Sequence, residues 1–453
     1  MEKEKFKSKF GVIAATAGSA VGLGNIWGFS YKAGVNGGGT FVLIYLLCIL
    51  LIGAPVMLAE FIIGREGKGG PVGSIEKLGG KNNFFVIGGY LGSISTFLIL
   101  AFYSVIAGWT IKYLSFTLVN GFKPFATSES SNAIFETFAA TNIAGSTICQ
   151  IIFMILTVII VTFGIQNGIE RFSKIMMPLL FGIILVMVVY SFTLPGFGDA
   201  VKFLFVPSKL PETTSFSQVM ASAMGHAFFT LSLGMGAIIT YARAVGDDLD
   251  LKSITFQVCV TDTAIALLAG LATFPIIFSI TGLEPGQGAG LAFMSLPVAF
   301  AQMPGGYILG NLFFFLLFVA ALTSSIAMLE NTLTTILEKT KLNRKLGAIV
   351  LGIIITFIGY FAQIGANFSM PILNFTGETA FLDQLNLFTA NYTIPIGALF
   401  IIILIGWRMD KNVIRRQIND DRISNIFIPY VKYVVPVLVA LVFILSVTGV
   451  IQN

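Results

Sequence analysis

Residues 18–25 place glycines, a serine and an asparagine in the middle of an apolar stretch. The order there is Gly18-Ser19-Ala20-Val21-Gly22-Leu23-Gly24-Asn25. Because each glycine inside a helix costs about 1 kcal/mol relative to alanine, we expect the helix to be interrupted. An interruption frees backbone carbonyl groups that can bind a cation. It also creates a half-helix N-terminus whose amide groups can face a carboxylate.

A second stretch of the same kind lies near the middle of the chain. It reads Thr230-Leu231-Ser232-Leu233-Gly234-Met235-Gly236 and falls in the sixth apolar run, whereas the first stretch falls in the first run. Unwound backbone at membrane depth persists only where it lines a cavity or is buried in protein. A single glycine pair often serves only close helix packing. Two interruptions at equivalent positions are typical of secondary transporters.

The composition requires lipid as the solvent. Of the 453 residues, 56% are hydrophobic and only 11% are charged, against about 25% charged residues in soluble domains. The net charge of +5 does not indicate nucleic-acid binding, because the basic residues sit in short segments between apolar runs. The three cysteines lie inside apolar runs and are expected to be small buried residues, so no disulfide or metal site is predicted.

Eleven apolar runs reach the length of about 20 residues that a membrane-spanning helix needs. We number them as spans 1 to 11. They cover residues 10–32, 39–64, 84–119, 145–163, 169–193, 216–242, 252–281, 307–337, 344–364, 380–407 and 428–450. No charge run, proline-rich linker or change in composition marks a second domain, so residues 1–453 are predicted to form one all-α membrane domain.

The distribution of Lys and Arg predicts the orientation. With the N-terminus in the cytoplasm, 21 of the 27 basic residues fall in cytoplasmic segments and four in external ones. Such an excess is typical of cytoplasmic loops. We therefore expect a multi-pass protein of the cell's inner (plasma) membrane, with the C-terminus outside. The charged N-terminal stretch and the length of the first run are not typical of a cleavable signal.

Five segments in order resemble the neurotransmitter:sodium symporter family, in particular its eleven-helix bacterial amino-acid transporters. They are residues 18–27 with 36–39, 103–109, 168–171 with Pro178, 227–234, and 322–327. The resemblance covers nearly the whole chain. It implies sodium-coupled transport by alternating access and two inverted five-helix repeats, 1–193 and 216–408. Spans 1 and 6 would be discontinuous, and 428–450 would be an extra helix.

The resemblance also implies two sodium ions, which as hard cations take oxygen ligands. The first sodium site would use the Ala20 carbonyl with the side chains of Asn25, Thr230 and Asp262. The second would use the carbonyls of Gly18, Val21 and Ala320 with the hydroxyls of Thr323 and Ser324. Adjacent hydroxyls on a helix also commonly bond only their own backbone.

Asp262 departs from the family, which usually has asparagine there. Many members bind chloride beside this ion through a span 7 hydroxyl, where this chain has Ala266. A charged residue within a span costs about 3 kcal/mol and normally has a partner. We expect Asp262 to replace the charge of chloride, so that chloride is not required. The alternative is an aspartate that faces the cytoplasmic mouth.

A zwitterionic substrate fits a site that has bare amides at one end and bare carbonyls at the other. The resemblance places its carboxylate near Leu23, Gly24 and Tyr103, and its ammonium near the carbonyls of Ala20, Phe229, Thr230 and Ser232. Its side chain would contact Ile99, Phe229, Met235, Ser324 and Met328. Since flexible methionine adapts to large groups, bulky apolar or aromatic amino acids, tyrosine included, are predicted. The same residues are also compatible with ordinary core packing.

The expected outer ion pair is missing. Gly28 stands where the family has arginine, and Asn386 where it has an acid, so outer closure is expected to rest on Tyr103 and Phe229. His226 replaces a glutamine, and either a neutral hydrogen-bonding role or proton handling fits it. The inner gate is expected to use Lys3 and Glu338, with Gly168 and Pro178 in a helix that unwinds. Glu60 is expected to support the unwound part of span 6.

Three other classes of protein are alternatives to a transporter. A channel needs a continuous polar pore, and no span carries a polar stripe along its length. An enzyme is not expected, because one histidine without a thiol motif or metal cluster offers little for catalysis. A transporter-like amino-acid sensor stays open. No organic cofactor is predicted, and a monomer is expected to be functional.

Overall fold

The computed structural model describes residues 5–80, 83–211, 214–280, 291–364, 370–371, 373 and 380–447. Within these residues the regular structure is helical, apart from one isolated bridge between Gly38 and Pro207. Nine of the described helices are long and apolar enough to cross a membrane, or ten if the bent pair Lys9–Ala20 and Gly24–Val35 forms one span. The all-α membrane class is therefore confirmed, and the count of eleven stays a prediction.

The helix bounds lie close to the predicted ones in most spans. Spans 2 to 5 correspond to Gly39–Gly67, Val86–Asn120, Ile143–Thr162 and Ile165–Ser191. Spans 7 to 11 correspond to Leu251–Phe278, Gly306–Lys339, Arg344–Gln363, Phe381–Arg408 and Asp421–Val447. Span 11 begins seven residues before its apolar run, because the Asp420 side chain caps the helix by accepting from the Ile423 amide.

Both predicted interruptions are present. Span 1 consists of Lys9–Ala20 and Gly24–Val35, which meet at an angle of 57°. Span 6 consists of Phe216–Thr230 and Ala237–Ala242. Between these two helices, Ser232, Gly234 and Gly236 have φ values of 54°, 74° and 79°. Left-handed backbone ends a right-handed helix, and glycine adopts it at little cost.

Spans 3 and 8 form the centre of the molecule. In their most apolar segments 78% and 83% of the residues are buried, against 28% in spans 4 and 11. Spans 3 and 8 thus lie against other helices, while spans 4 and 11 present most of their surface to lipid. Shorter helices lie between spans, among them Pro71–Gly79, Ser128–Glu136, Phe197–Phe205, Leu291–Gln302 and Lys411–Ile418.

Candidate functional site

The interruption of span 1 lies against two hydroxyls of span 8. The Ser324 hydroxyl is 3.4 Å from the Gly18 carbonyl oxygen and 3.2 Å from that of Val21. The Thr323 hydroxyl is 3.5 Å from the Val21 oxygen and 3.0 Å from the Ala320 oxygen. All five oxygens predicted for the second sodium site are therefore brought together. They form a compact cluster that joins the two halves of the chain.

The side chains predicted for the first sodium site are also brought together. The Asn25 amide donates to Asp262 Oδ1 at 2.7 Å, and Asn25 Oδ1 accepts from the Gly22 amide at 3.1 Å. Asn25 and Asp262 are completely buried. The alternative in which Asp262 faces a cytoplasmic mouth is therefore wrong, because the carboxylate lies among side chains of spans 1 and 2.

Tyr45 belongs to the same cluster, although the sequence did not single it out. Its hydroxyl lies 3.4 Å from Asp262 Oδ2 and 3.4 Å from the Thr230 hydroxyl. It therefore connects the carboxylate of span 7 to the hydroxyl of span 6. The only sequence signal was a hydroxyl-bearing aromatic residue inside the apolar run of span 2, which ordinarily indicates packing.

A cavity lies between the interrupted spans and spans 3 and 8. Its lining contains all eleven residues predicted for the substrate, together with Ser19 and Gly22. The Leu23 amide donates to the Tyr103 hydroxyl at 3.3 Å, so this hydroxyl lies directly at the interruption of span 1. A Cβ at Gly22 would lie 2.6 Å from Ser324 Oγ and 2.9 Å from the Tyr103 hydroxyl. Only glycine permits this close approach.

The two interruptions are held to each other and to span 2. The Ser232 hydroxyl donates to the Ser19 carbonyl at 3.0 Å, and the Gly234 amide donates to Glu60 Oε1 at 2.7 Å. Glu60 is completely buried and supports the unwound part of span 6, as expected from the sequence. Backbone groups freed by the interruption of span 6 thus have side-chain partners.

His226 lies beside Gly28, where the sequence predicts the outer gate. A Cβ at Gly28 would lie 3.6 Å from His226 Cε1. The imidazole therefore lies next to the space that an arginine side chain at position 28 would enter. Three aromatic rings surround it with centroids 5.5–6.1 Å away, those of Phe29, Phe41 and Tyr45. Among the described residues His226 Nε2 has no hydrogen-bond partner. Hydrogen bonding and proton handling both stay predictions for this residue. Tyr103 is buried and Phe229 half-buried beside the cavity.

At the predicted inner gate, Glu338 accepts from the amides of Gly70 and Gly73, at 2.5 Å and 3.2 Å. Its expected partner Lys3 lies outside the described residues. Gly168 lies in the wide turn Ile165–Glu170, and Pro178 lies inside the unbroken helix Arg171–Ser191. Unwinding between Gly168 and Pro178 stays a prediction.

Glu170, at the end of that turn, binds the start of the chain. Its carboxylate accepts from the Lys7 amide at 2.8 Å and from the Ser8 hydroxyl at 3.3 Å, and it pairs with Lys174 at 2.6 Å. The sequence identified Glu170 only as part of a family segment. Contact with the N-terminal residues shows that it fixes the beginning of span 1 against span 5.

Two interrupted helices that share a cavity, flanked by two oxygen clusters, define an ion-coupled membrane transporter. A model of the Sodium:neurotransmitter symporter family matches residues 3–147 and 132–453. The chain belongs to this family and is a sodium-dependent, membrane-spanning transporter. The family consists of symporters rather than enzymes.

Similar proteins cover nearly the full length. The chain is 34% identical to an uncharacterized sodium-dependent transporter, YhdH, of Bacillus subtilis, with 97% of each chain covered. It is 31% identical to an uncharacterized sodium-dependent transporter of Methanocaldococcus jannaschii, with 92% of this chain and 85% of the relative covered. The crystal structure of MhsT in complex with L-phenylalanine superposes with a TM-score of 0.89 at 38% identity, covering 98% of this chain and 99% of MhsT.

Proposed function

We propose that the protein takes up bulky apolar and aromatic amino acids, tyrosine included, together with two sodium ions by alternating access. Chloride is not required. The observation that carries this proposal is a single cavity that lies between the oxygen clusters around Ser324 and Asp262. Its lining combines backbone of the interrupted spans with apolar side chains of spans 3, 6 and 8.

The zwitterionic part of the substrate is proposed to lie against the interruption of span 1. Its carboxylate fits the amides near Leu23 and Gly24 and the Tyr103 hydroxyl, which already accepts from Leu23. The ammonium group fits the carbonyls of Ala20, Phe229, Thr230 and Ser232, which belong to residues that line the cavity. A sodium ion in the first site would stand next to the carboxylate and neutralise it.

The apolar part is proposed to lie against Ile99, Met235 and Met328, which are almost completely buried. Two methionines give this wall long, flexible side chains that can repack around rings of different shape. The related MhsT binds L-phenylalanine in its crystal structure. This supports an aromatic or bulky apolar amino acid as the substrate.

Two sodium ions give the transport cycle its driving force. Moving one charge across a potential of 100 mV supplies about 2.3 kcal/mol. Two ions supply about 4.6 kcal/mol, which supports roughly a thousandfold substrate gradient before the sodium gradient itself is counted. The second site joins span 1 to span 8, so an ion there would couple sodium binding to the relative position of the two halves.

Chloride independence is proposed from the buried Asp262. Its carboxylate lies within hydrogen-bonding distance of Asn25 and Tyr45. It would supply the negative charge beside the first sodium ion that a bound chloride supplies elsewhere in the family. A sodium ion would in turn offset the cost of burying the carboxylate.

We further propose eleven spans, with 1–193 and 216–408 as inverted repeats and 428–450 within the extra helix. The excess of Lys and Arg in cytoplasmic segments supports a cytoplasmic N-terminus and an external C-terminus. The inner (plasma) membrane of the cell is the proposed location, and a monomer the proposed functional unit.

Uptake of labelled tyrosine, phenylalanine and leucine into proteoliposomes with an inward sodium gradient tests the proposal. We expect saturable accumulation that disappears when potassium replaces sodium and persists when gluconate replaces chloride. Preferential uptake of glycine or alanine would contradict the substrate class. Sodium-dependent binding without accumulation would identify a sensor, and flux that does not saturate would identify a channel.

A further inference from the structure

Six polar side chains form a cluster directly beneath the cavity. Thr96 precedes the cavity residue Ile99 by three positions in span 3, and Asn331 follows the cavity residue Met328 by three positions in span 8. Both are thus one helical turn closer to the end of the molecule that carries Glu338. We refer to the following residues as the Asn331 cluster: Ser93, Thr96, Thr240, Asn331, Thr332 and Thr335.

Asn331 connects its own span to two other spans with one side chain. Its amide nitrogen donates to the Met235 carbonyl at 2.8 Å and to the Thr96 hydroxyl at 2.9 Å, and its oxygen accepts from the Thr240 hydroxyl at 2.6 Å. Because a carbonyl can only accept, the nitrogen must be the atom that faces Met235. Spans 3, 6 and 8 therefore meet at this completely buried amide.

The rest of the cluster extends this network toward the Glu338 end. The hydroxyls of Thr96 and Thr332 are 3.1 Å apart, and those of Ser93 and Thr335 are 2.7 Å apart. Every polar side-chain atom of these six residues that is fully buried has a partner. A satisfied polar network at low dielectric favours one arrangement of the helices that contribute to it.

The Met235 carbonyl needs such a partner, because it belongs to the interrupted part of span 6. The left-handed residues Gly234 and Gly236 flank Met235, so its carbonyl does not continue a helix ladder. On the other side span 3 approaches closely, since a Cβ at Gly92 would lie 2.9 Å from the Met235 carbonyl group. Asn331 and Gly92 thus fix the backbone that carries a side chain of the cavity wall.

We propose that Asn331 is a positioning residue of the substrate site. It sets the place of Met235 by anchoring the Met235 carbonyl to spans 3 and 8. Its cluster also forms the inner closure of the cavity, which separates before a substrate leaves on that side. The first part rests on the proposed function, and the second rests on the geometry of the cluster.

The construction of span 6 explains how this closure can open. The helix Ala237–Ala242 has only six residues and follows three left-handed residues that can act as a hinge. Spans 3 and 8 have 35 and 34 residues and are mostly buried. The hydrogen bonds of Asn331 with Met235 and Thr240 cross from span 6 to span 8. At the end of the short helix, Arg243 also pairs with Glu330 of span 8 at 2.9 Å. Neutral hydrogen bonds such as those of Asn331 each contribute little net free energy and can separate in each cycle.

The test compares Asn331→Leu and Asn331→Asp with the wild type in proteoliposomes. Leucine keeps the volume and removes all three hydrogen bonds, while aspartate keeps the acceptor for Thr240 and loses the donors to Met235 and Thr96. We expect both to change the ratio of the KM values for tryptophan and leucine by about fivefold, because each loses the anchor of Met235. The sodium concentration for half-maximal uptake is expected to change less than about twofold.

Two further variants make the test specific. Thr240→Val removes one bond across the closure and leaves Met235 anchored, so we expect the KM ratio to stay the same. Gln150→Leu removes another buried amide, which bonds Ser104 and Gln363 away from the cavity. It is expected to change neither the KM ratio nor the closure.

Thiol labelling tests the closure without a transport assay. Ser93→Cys, in a background in which Cys48, Cys149 and Cys259 are replaced by alanine, reports access to the inner side of the cluster. In detergent with sodium present, we expect Asn331→Leu and Thr240→Val to increase its labelling by a water-soluble maleimide about fivefold, and Gln150→Leu to leave it unchanged.

Unchanged KM ratios and labelling in folded Asn331→Leu and Asn331→Asp would overturn the inference. If Asn331→Leu is not recovered as a folded protein, Asn331→Asp decides the inference by the KM ratio and the labelling, and Thr240→Val decides the closure by the labelling. If the wild type transports no amino acid, the proposed function and the positioning role fail together. The labelling result then still decides whether the cluster closes the cavity.

Discussion

Asn25 and Asp262 are joined by a hydrogen bond of 2.7 Å, although they lie 237 positions apart in the chain. The bond connects the interrupted span 1 to span 7 and fixes a carboxylate where no water reaches it. A carboxylate at membrane depth costs about 3 kcal/mol on insertion scales, so it needs partners. Asn25 and Tyr45 supply two, and a sodium ion would supply the charge that these neutral groups cannot.

Replacement of Asp262 by serine is expected to make transport depend on chloride. The variant removes the fixed negative charge and adds a hydroxyl that can donate to an anion. We expect wild-type uptake to be the same in chloride and gluconate, and uptake by Asp262→Ser to fall at least about tenfold in gluconate. The measurement is initial uptake of tyrosine at saturating sodium.

Asp248→Ser, which alters an exposed loop residue, is expected to stay independent of chloride. A wild type that itself requires chloride would disprove the role given to Asp262.

Loss of the span 8 hydroxyls is expected to weaken sodium binding. Thr323→Val and Ser324→Ala each remove one oxygen of the second sodium site while the surrounding helix is kept. Replacing even an outer partner of a metal ligand commonly costs about 10–100-fold in affinity. We therefore expect the sodium concentration for half-maximal uptake to rise at least about tenfold.

Ser325→Ala is the matched control for these two variants. Its hydroxyl donates to the Leu322 carbonyl and lies 2.9 Å from the Thr157 hydroxyl, on the face of span 8 that packs against span 4. Sodium dependence close to that of the wild type is expected for it. If Ser325→Ala and Ser324→Ala weaken sodium binding equally, the effect belongs to helix packing rather than to an ion site.

Most of the fold was predictable, because a membrane span has a simple physical signature. An apolar run of sufficient length must be helical in lipid, since its backbone can bond only to itself. Span 9 illustrates this, with a run at 344–364 and a helix at Arg344–Gln363. The start of span 11 was missed because a polar cap at Asp420 adds two helical turns outside the apolar run.

Much of the site was predictable for a related reason. Glycines, adjacent hydroxyls and a carboxylate are conspicuous within apolar runs, so Gly18, Ser324 and Asp262 stood out. Partners could not be predicted where the residue type is ordinary for its place. Tyr45 looks like a packing aromatic, and Asn331 looks like one polar residue in a long helix. Their roles depend on contacts with residues 91–235 positions away, which hydropathy does not encode.

Met235→Phe is expected to narrow the substrate range. A rigid ring would replace a flexible side chain in the almost completely buried wall of the cavity, and excess volume in a packed site is costly. We expect the KM for tryptophan and tyrosine to rise at least about tenfold relative to that for alanine, measured by competition against labelled leucine. Met154→Phe, in span 4 and equally buried, is expected to leave the order of substrates unchanged. An unaltered order in Met235→Phe would show that Met235 does not contact the substrate side chain.

Tyr45→Phe removes only the hydroxyl that lies between Asp262 and Thr230. The ring packing is retained, so the variant is expected to fold normally while the carboxylate loses one of its neutral partners. We expect the sodium concentration for half-maximal uptake to rise about tenfold, as for other residues that orient a metal ligand. Chloride independence is expected to persist because Asp262 keeps its charge.

Tyr113→Phe is a suitable comparison, because the buried Tyr113 hydroxyl donates to the Phe293 carbonyl at 2.8 Å and not to a residue of the first sodium site. Equal sodium dependence in Tyr45→Phe and Tyr113→Phe would remove Tyr45 from the first sodium site.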